Sequence, residues 1–177
     1  MKMTNLSLMK KYLQKTVISE LENVGFTGKY PHYRREKGDC TELISFQTNN
    51  WGGSFTVEVS AAFPSAESVE DKNFYLYDGI TEKDITVWNT MERYRLKGMF
   101  DGWFYYRDVY CKRVFGFGKA YMDVAEKDVL TFKAPGGYRC VQTFDEETAK
   151  KICAEVNRQL RSAFRWLKNF EKKRKRI

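Results

Sequence analysis

A lone histidine, a few strand carboxylates, a glycine-flanked phenylalanine and a terminal run of cations are the residues of this 177-residue chain that could carry chemistry. His32 has no second histidine to work with, so a Cys–His or Ser–His–Asp arrangement reduces to whatever lies beside it, and within Tyr30 to Arg35 it reads as a structural or surface residue. Glu58, with Glu42 across a hairpin, is the best-placed carboxylate pair for acid–base or metal work. No E-x-K follows a suitable Asp, so the pair reads as solvated strand carboxylates. Gly116-Phe117-Gly118 has Tyr121 where a dinucleotide loop needs its third glycine, and no G-K-[ST] occurs. Arg113 to Phe117 puts Phe115 and Phe117 on one face, as base stacking requires. It departs from the RNA-recognition strand motif at Val114, Gly118 and Ala120, and reads as a core strand with a glycine bulge. Cysteines at 40, 111, 140 and 153 have no C-x-x-C and no matching C/H spacing, so neither zinc nor disulfides are expected. From these residues we expect no catalytic set, no metal and no cofactor.

The elements that would position such residues are clearest at the two ends. Leu6, Met9, Leu13, Val17, Leu21 and Val24 recur at helical spacing behind a cap at Thr4 or Asn5, and Gly25 suits a left-handed helix end. Ala149, Cys153, Val156, Leu160, Ala163, Leu167 and Phe170 form a regular apolar stripe, widened by Ile152 and Phe164 to a core-facing helix. Asp145, or Thr143 with Glu146, caps its start. Between the helices the chain reads as β. Tyr30–Glu36 is a strand, and Thr41–Thr48 alternates. After the loop Asn49-Asn50-Trp51-Gly52-Gly53, residues Phe55, Val57, Val59, Ala61 and Phe63 point one way while Ser54, Thr56, Glu58 and Ser60 point the other. That is an antiparallel hairpin with one buried and one wet face. Shorter β-prone pieces follow at Ile85–Trp88, Met91–Leu96, Trp103–Tyr110, Lys119–Val124, Val129–Phe132 and Tyr138–Thr143. The resulting expectation is an α+β fold over a single domain, 1–177. An antiparallel β-sheet has the N-terminal and long C-terminal amphipathic helices packed on one face, against Ile44, Phe46, Val57 and Val59. Residues 64–83 are a loop or insertion and 171–177 a basic tail.

Composition sets the remaining bounds. Thirteen Phe, eleven Tyr and four Trp favour strands. Of the formal charge of +8, five come from Lys172, Lys173, Arg174, Lys175 and Arg176, leaving +3 on the body. Any nucleic-acid affinity is therefore expected in the tail. No apolar run approaches the roughly 20 residues that span a bilayer, and no signal peptide opens the chain, so a cytoplasmic protein without membrane contact is expected.

Tyr33-Arg34-Arg35, Leu43-Ile44-Ser45-Phe46-Gln47-Thr48 and Trp51-Gly52-Gly53-Ser54-Phe55 together resemble the bacterial domain-of-unknown-function family 4304, and Arg95-Leu96 with Asp101-Gly102-Trp103-Phe104 resembles its later R-L…D-x-W-W stretch. At Glu58 the chain departs from the Asn expected there. The resemblance covers most of the chain and implies a fold with no established activity. It maps the family's recurring positions onto Arg35, Gln47, Trp51, Gly52, Arg95, Asp101 and Trp103.

The function expected from all this is a non-enzymatic binding or regulatory module, immunity-like in type. Its open sheet face would meet a protein partner through Arg35, Gln47, Trp51, Glu58, Arg95 and Trp103. The alternatives are a small-molecule enzyme using Arg35, Gln47 and a carboxylate in a cleft, and weak nucleic-acid binding by the tail.

Overall fold

Alternating apolar residues in two neighbouring segments give a hairpin its register, because a slip of one residue would turn every side chain to the wrong face. The structure, a computed structural model, describes residues 3–63, 82–90, 92–99, 102–113, 120–123 and 139–174. In it β3 (Cys40–Thr48) and β4 (Ser54–Ala62) pair antiparallel, with Phe46 opposite Val57 and Ile44 opposite Val59. β2 (His32–Lys37) and the short β1 (Thr27–Lys29) extend the sheet on one side. The outer edge of β4 is shared by β5 (Tyr94–Arg95) and β6 (Phe104–Tyr105). A second antiparallel sheet runs β8 (Ala120–Asp123), β7 (Val109–Arg113), β9 (Arg139–Gln142).

The first helical region comprises α1 (Asn5–Tyr12), a π-helical stretch Leu13–Ile18 and α2 (Ser19–Asn23). Thr4 caps it by accepting from the Ser7 amide, and Gly25 closes it at φ +91°. The long α3 (Glu146–Arg174) is capped by Asp145, which accepts from the Thr148 amide at 2.7 Å. Its expected stripe, Ala149 through Phe170, is buried throughout. Both helices share one core with Ile44, Phe46, Val57 and Val59. Phe164 stacks on Phe26, and Trp166 packs on Tyr94. The α+β class and the packing of both helices on one sheet face therefore hold. Among the described residues no helix is long and apolar enough to cross a membrane.

The expectation of a wet second face does not hold. Ser45, Ser54, Thr56 and Ser60 are as buried as the apolar residues beside them, and Glu58 is only 8% exposed. Part of the cover is the chain between residues 83 and 90, which lies against the His32 and Ser45 side of this face. Arg34 donates to the Lys83 carbonyl, and Trp88 meets the His32 ring edge-on at 4.8 Å. Ile85 and Val87 supply the apolar contacts of this cover. Nor is Ile85–Trp88 a strand. Thr86 and Asn89 form a reciprocal capping box that curls Val87–Asn89 into a 3-10 turn. Residues 64–81 of the expected loop, the strand Val129–Phe132, the Phe115–Phe117 pair and Asp101 lie outside the described residues.

Candidate functional site

On the face opposite the helices, the pairings align His32 with Ser45, Ser45 with Glu58, and Glu58 with Arg95. Directly opposed residues in an antiparallel sheet share a face, so this register builds a polar row across four strands. His32 Nδ1 lies 2.9 Å from Ser45 Oγ, and burial pushes the His32 pKa below its usual value. At the other end Arg95 Nε donates to Glu58 Oε1 at 3.1 Å, and Arg93 Nη1 lies 3.6 Å from Glu58 Oε2. Among the described residues Oε2 accepts no hydrogen bond, and on the same face the buried hydroxyls of Ser54, Thr56 and Ser60 likewise have no partner. Unsatisfied buried polar atoms are costly and uncommon, so four along one strand set this face apart from an ordinary core.

A cavity of about 740 Å³ opens over this row, lined among the described residues by Gln47, Glu58, Trp88, Arg93 and Arg95. Gln47 lies further along β3 from Ser45, opposite Thr56. Trp88, 44% exposed, supplies an aromatic wall fixed by its contact with His32. Arg95 lies over the Trp103 ring at 5.7 Å, a cation–π contact that holds the guanidinium from behind. The turn between Arg95 and Trp103 is pinned from beneath by Gln159 of α3. Its Oε1 accepts from the Gly98 amide at 3.1 Å and its Nε2 donates to the Gly98 carbonyl at 2.9 Å. Gly98 itself, at φ +67°, leaves no space for a Cβ, which would meet the Trp103 amide nitrogen at 2.4 Å.

The side chains of Arg93 and Arg95 are 40% and 43% exposed and share one carboxylate. The described lining of the cleft therefore carries a net positive charge, with guanidinium donors to spare among the described residues. Guanidiniums so placed can donate charge-assisted hydrogen bonds to an oxyanion, and an exposed indole can pack a planar or apolar group. The His32–Ser45 contact resembles a nucleophile and base only superficially. Ser45 is 1% exposed, with no room for a substrate carbonyl at its hydroxyl.

Of the residues expected at a site, Gln47, Glu58, Arg95 and Trp103 come together here. Arg35 does not. It pairs in register with Glu42, so it leaves the opposite face of the sheet, where its guanidinium packs on Phe26 at 4.5 Å. An arrangement of Arg35 with Gln47 is thereby ruled out. The Glu42–Glu58 pair is also lost, since Glu42 faces Ala61 and Glu58 faces Ser45. Trp51 stands on the hairpin loop, 92% exposed. Lys172 is exposed in the last turns of α3, whose backbone continues through Lys173 and Arg174, while Lys175 and Arg176 lie outside the described residues. Sequence reasoning missed Trp88, Arg93 and Gln159. The one available signal was Arg93 and Arg95 two apart in a strand-prone piece, a spacing that puts both on one face.

No curated protein and no solved structure matches the chain. A family model does, over residues 17–169, and by that match the chain belongs to the domain of unknown function family DUF4304.

Proposed function

We propose that the chain is a non-enzymatic binding module that takes an acidic group of a protein partner into the cleft formed by Gln47, Glu58, Trp88, Arg93 and Arg95. The observation that supports this reading best is the sharing of a single carboxylate by two half-exposed guanidiniums at an open cavity. Arginines whose only purpose was to neutralise Glu58 would need just one of the pair, and the second charge is best accounted for by a ligand. Trp88, half-exposed at the cavity wall, is an aromatic anchor of the kind that dominates interfaces.

The test is a titration with simple carboxylates, such as citrate and 3-phenylpropionate, followed by NMR at the Trp88 indole N–H and the Arg93 and Arg95 Nε–H signals. These signals should move in the native protein and stay still when Arg93 and Arg95 are both replaced by alanine. Shifts confined to the end of α3 would place anion binding in the tail and remove the cleft from consideration.

A further inference from the structure

The chemistry around Glu58 narrows the ligand further, on the reading that the cleft binds an acidic group. Three observations bear on it. Glu58 lines the cavity with a side chain only 10% exposed; its Oε1 is taken by Arg95 Nε, while its buried Oε2 accepts no hydrogen bond among the described residues. Arg93 approaches Oε2 only at ion-pair distance, 3.6 Å. Beyond the contacts to Glu58 and the Trp103 ring, the Arg93 and Arg95 guanidiniums make no further hydrogen bond or ion pair among the described residues. The cleft therefore offers one anionic acceptor lacking a donor, directly beside two cationic donors lacking acceptors.

We infer that this cleft recognises a carboxylate with an N–H on the neighbouring carbon, the arrangement of an amino-acid end. The carboxylate would lie on Arg93 and Arg95, the N–H would donate to Glu58 Oε2, and the side chain of that residue would rest on Trp88. Charge decides against a phosphate. Any oxyanion held by both guanidiniums sits within a few ångströms of Glu58, so a dianion meets strong repulsion at short range. A monoanion with an adjacent donor leaves the group it forms with Glu58, Arg93 and Arg95 neutral overall and Oε2 satisfied. The Gln47 amide, at the same cavity wall, can bond either the carboxylate or the peptide group that precedes it. Two sources share this chemistry, the C-terminus of a polypeptide, which is the monoanion, and a free amino acid, whose ammonium leaves one positive charge over but pairs directly with Glu58.

The probes are N-acetylphenylalanine, phenylalanine, N-acetylphenylalaninamide, 3-phenylpropionate and inorganic phosphate, titrated into the full chain and read at the Trp88 indole. N-acetylphenylalanine should bind roughly tenfold more tightly than 3-phenylpropionate, which lacks the N–H, and tighter still than the amide, which lacks the carboxylate. Tighter binding of phenylalanine than of its acetyl derivative identifies the free amino acid as the source, and the reverse order identifies a chain end. In Glu58→Leu, which keeps no acceptor, the tenfold preference over 3-phenylpropionate should vanish while phosphate binds more tightly. Equal affinity of N-acetylphenylalanine and 3-phenylpropionate for the native protein would overturn the inference while leaving carboxylate binding in the cleft intact. Retention of the preference in Glu58→Leu would overturn it in the same way. Silence of the Trp88 signal towards every probe would remove both.

Discussion

Arg35 reaches Glu42 across the β2–β3 pairing, its Nε donating to Glu42 Oε2 at 2.7 Å while its guanidinium lies against Phe26 and Phe164. Lys37 and Glu171 complete the group, with Lys37 Nζ 3.0 Å from Glu42 and 3.1 Å from Glu171. Glu42 is 1% exposed, so its loss would leave the Arg35 guanidinium without its carboxylate and Lys37 with Glu171 alone. We expect Glu42→Gln to cost about 3 kcal/mol in urea melts, the low end for a broken buried pair because Arg35 and Lys37 keep some water. Arg35→Lys should also destabilise, since an ammonium can neither fork onto the carboxylate nor stack on the two rings.

The same cluster gives stability a pH dependence of two signs. Burial pushes Glu42 up, but hydrogen bonds with Glu171, Arg35 and Lys37 outweigh it and hold its carboxyl below 4.5. Its contribution is present above that value and lost as pH falls through the folded pKa. Glu171 is raised above 4.5 by burial and then by the Glu42 carboxylate. Its contribution is present below 4.5 and lost as pH rises through its folded pKa. Glu171→Gln should therefore abolish the decline in melting temperature as pH climbs from 4.5, while leaving the acid-side loss in place. An unchanged rising-pH limb would show that Glu171 does not share a proton with Glu42.

Leu160 and Arg161 are neighbours in α3 with opposite surroundings, one in the core and one in water. Leu160→Ala should cost about 2–5 kcal/mol, and Arg161→Ala under about 0.5 kcal/mol. Equal small losses in urea would contradict the docking of α3.

How far such residues can be read from sequence depends on which periodicity governs them. The stripe from Ala149 to Phe170 obeys the helical repeat and was legible residue by residue. The alternation in β4 likewise separated Val57 and Val59 from Thr56 and Glu58. It could not say that the polar side is covered, because serine and threonine tolerate burial and part of the cover comes from residues 83–90, well beyond the hairpin. Trp88 was legible as aromatic but not as a cleft wall, since Ile85 and Val87 mimic a strand while the Thr86–Asn89 box bends them into a turn. Arg35 and Gln47 both recur in the family pattern, which suggests a shared site. Register, set by the Gly38-Asp39 turn, sends them to opposite faces.

Gln159 links α3 to the cleft without touching it. Its two hydrogen bonds to Gly98 fix the turn that carries Trp103 against Arg95. Gln159→Leu should lower stability by about 1–3 kcal/mol, because both Gly98 groups lose their partner. Hydrogen exchange should quicken at the Gly98 and Met99 amides, while the amides of the β3–β4 hairpin stay protected. Uniform acceleration through the sheet would mean that Gln159 supports the core generally rather than this turn.

The hairpin residues separate binding from stability. Gln47 is half-buried at the cleft wall and Trp51 projects from the loop, so Gln47→Ala and Trp51→Ala should each change stability by less than about 0.5 kcal/mol. Carboxylate affinity should drop in the Gln47 variant alone if recognition is confined to the cleft. A matching drop for Trp51→Ala would extend the binding surface over the hairpin loop.

The basic end of the chain can be tested apart from the cleft. Phe170 is buried and Glu171 pairs with Lys37, whereas Lys172 is exposed, so among the described side chains the docked part of α3 ends at Glu171. Deleting Lys172 to Ile177 removes five positive charges and should leave the stability within about 0.5 kcal/mol of the full chain in urea. Any affinity for duplex DNA should fall with it, the slope of log affinity against log salt decreasing by up to about 0.9 for each phosphate no longer neutralised. Carboxylate binding at Trp88 should be unaffected if recognition is confined to the cleft. Undiminished DNA binding after the deletion would move the nucleic-acid surface onto the body, and a loss of stability would mean that the docked part of α3 reaches beyond Glu171.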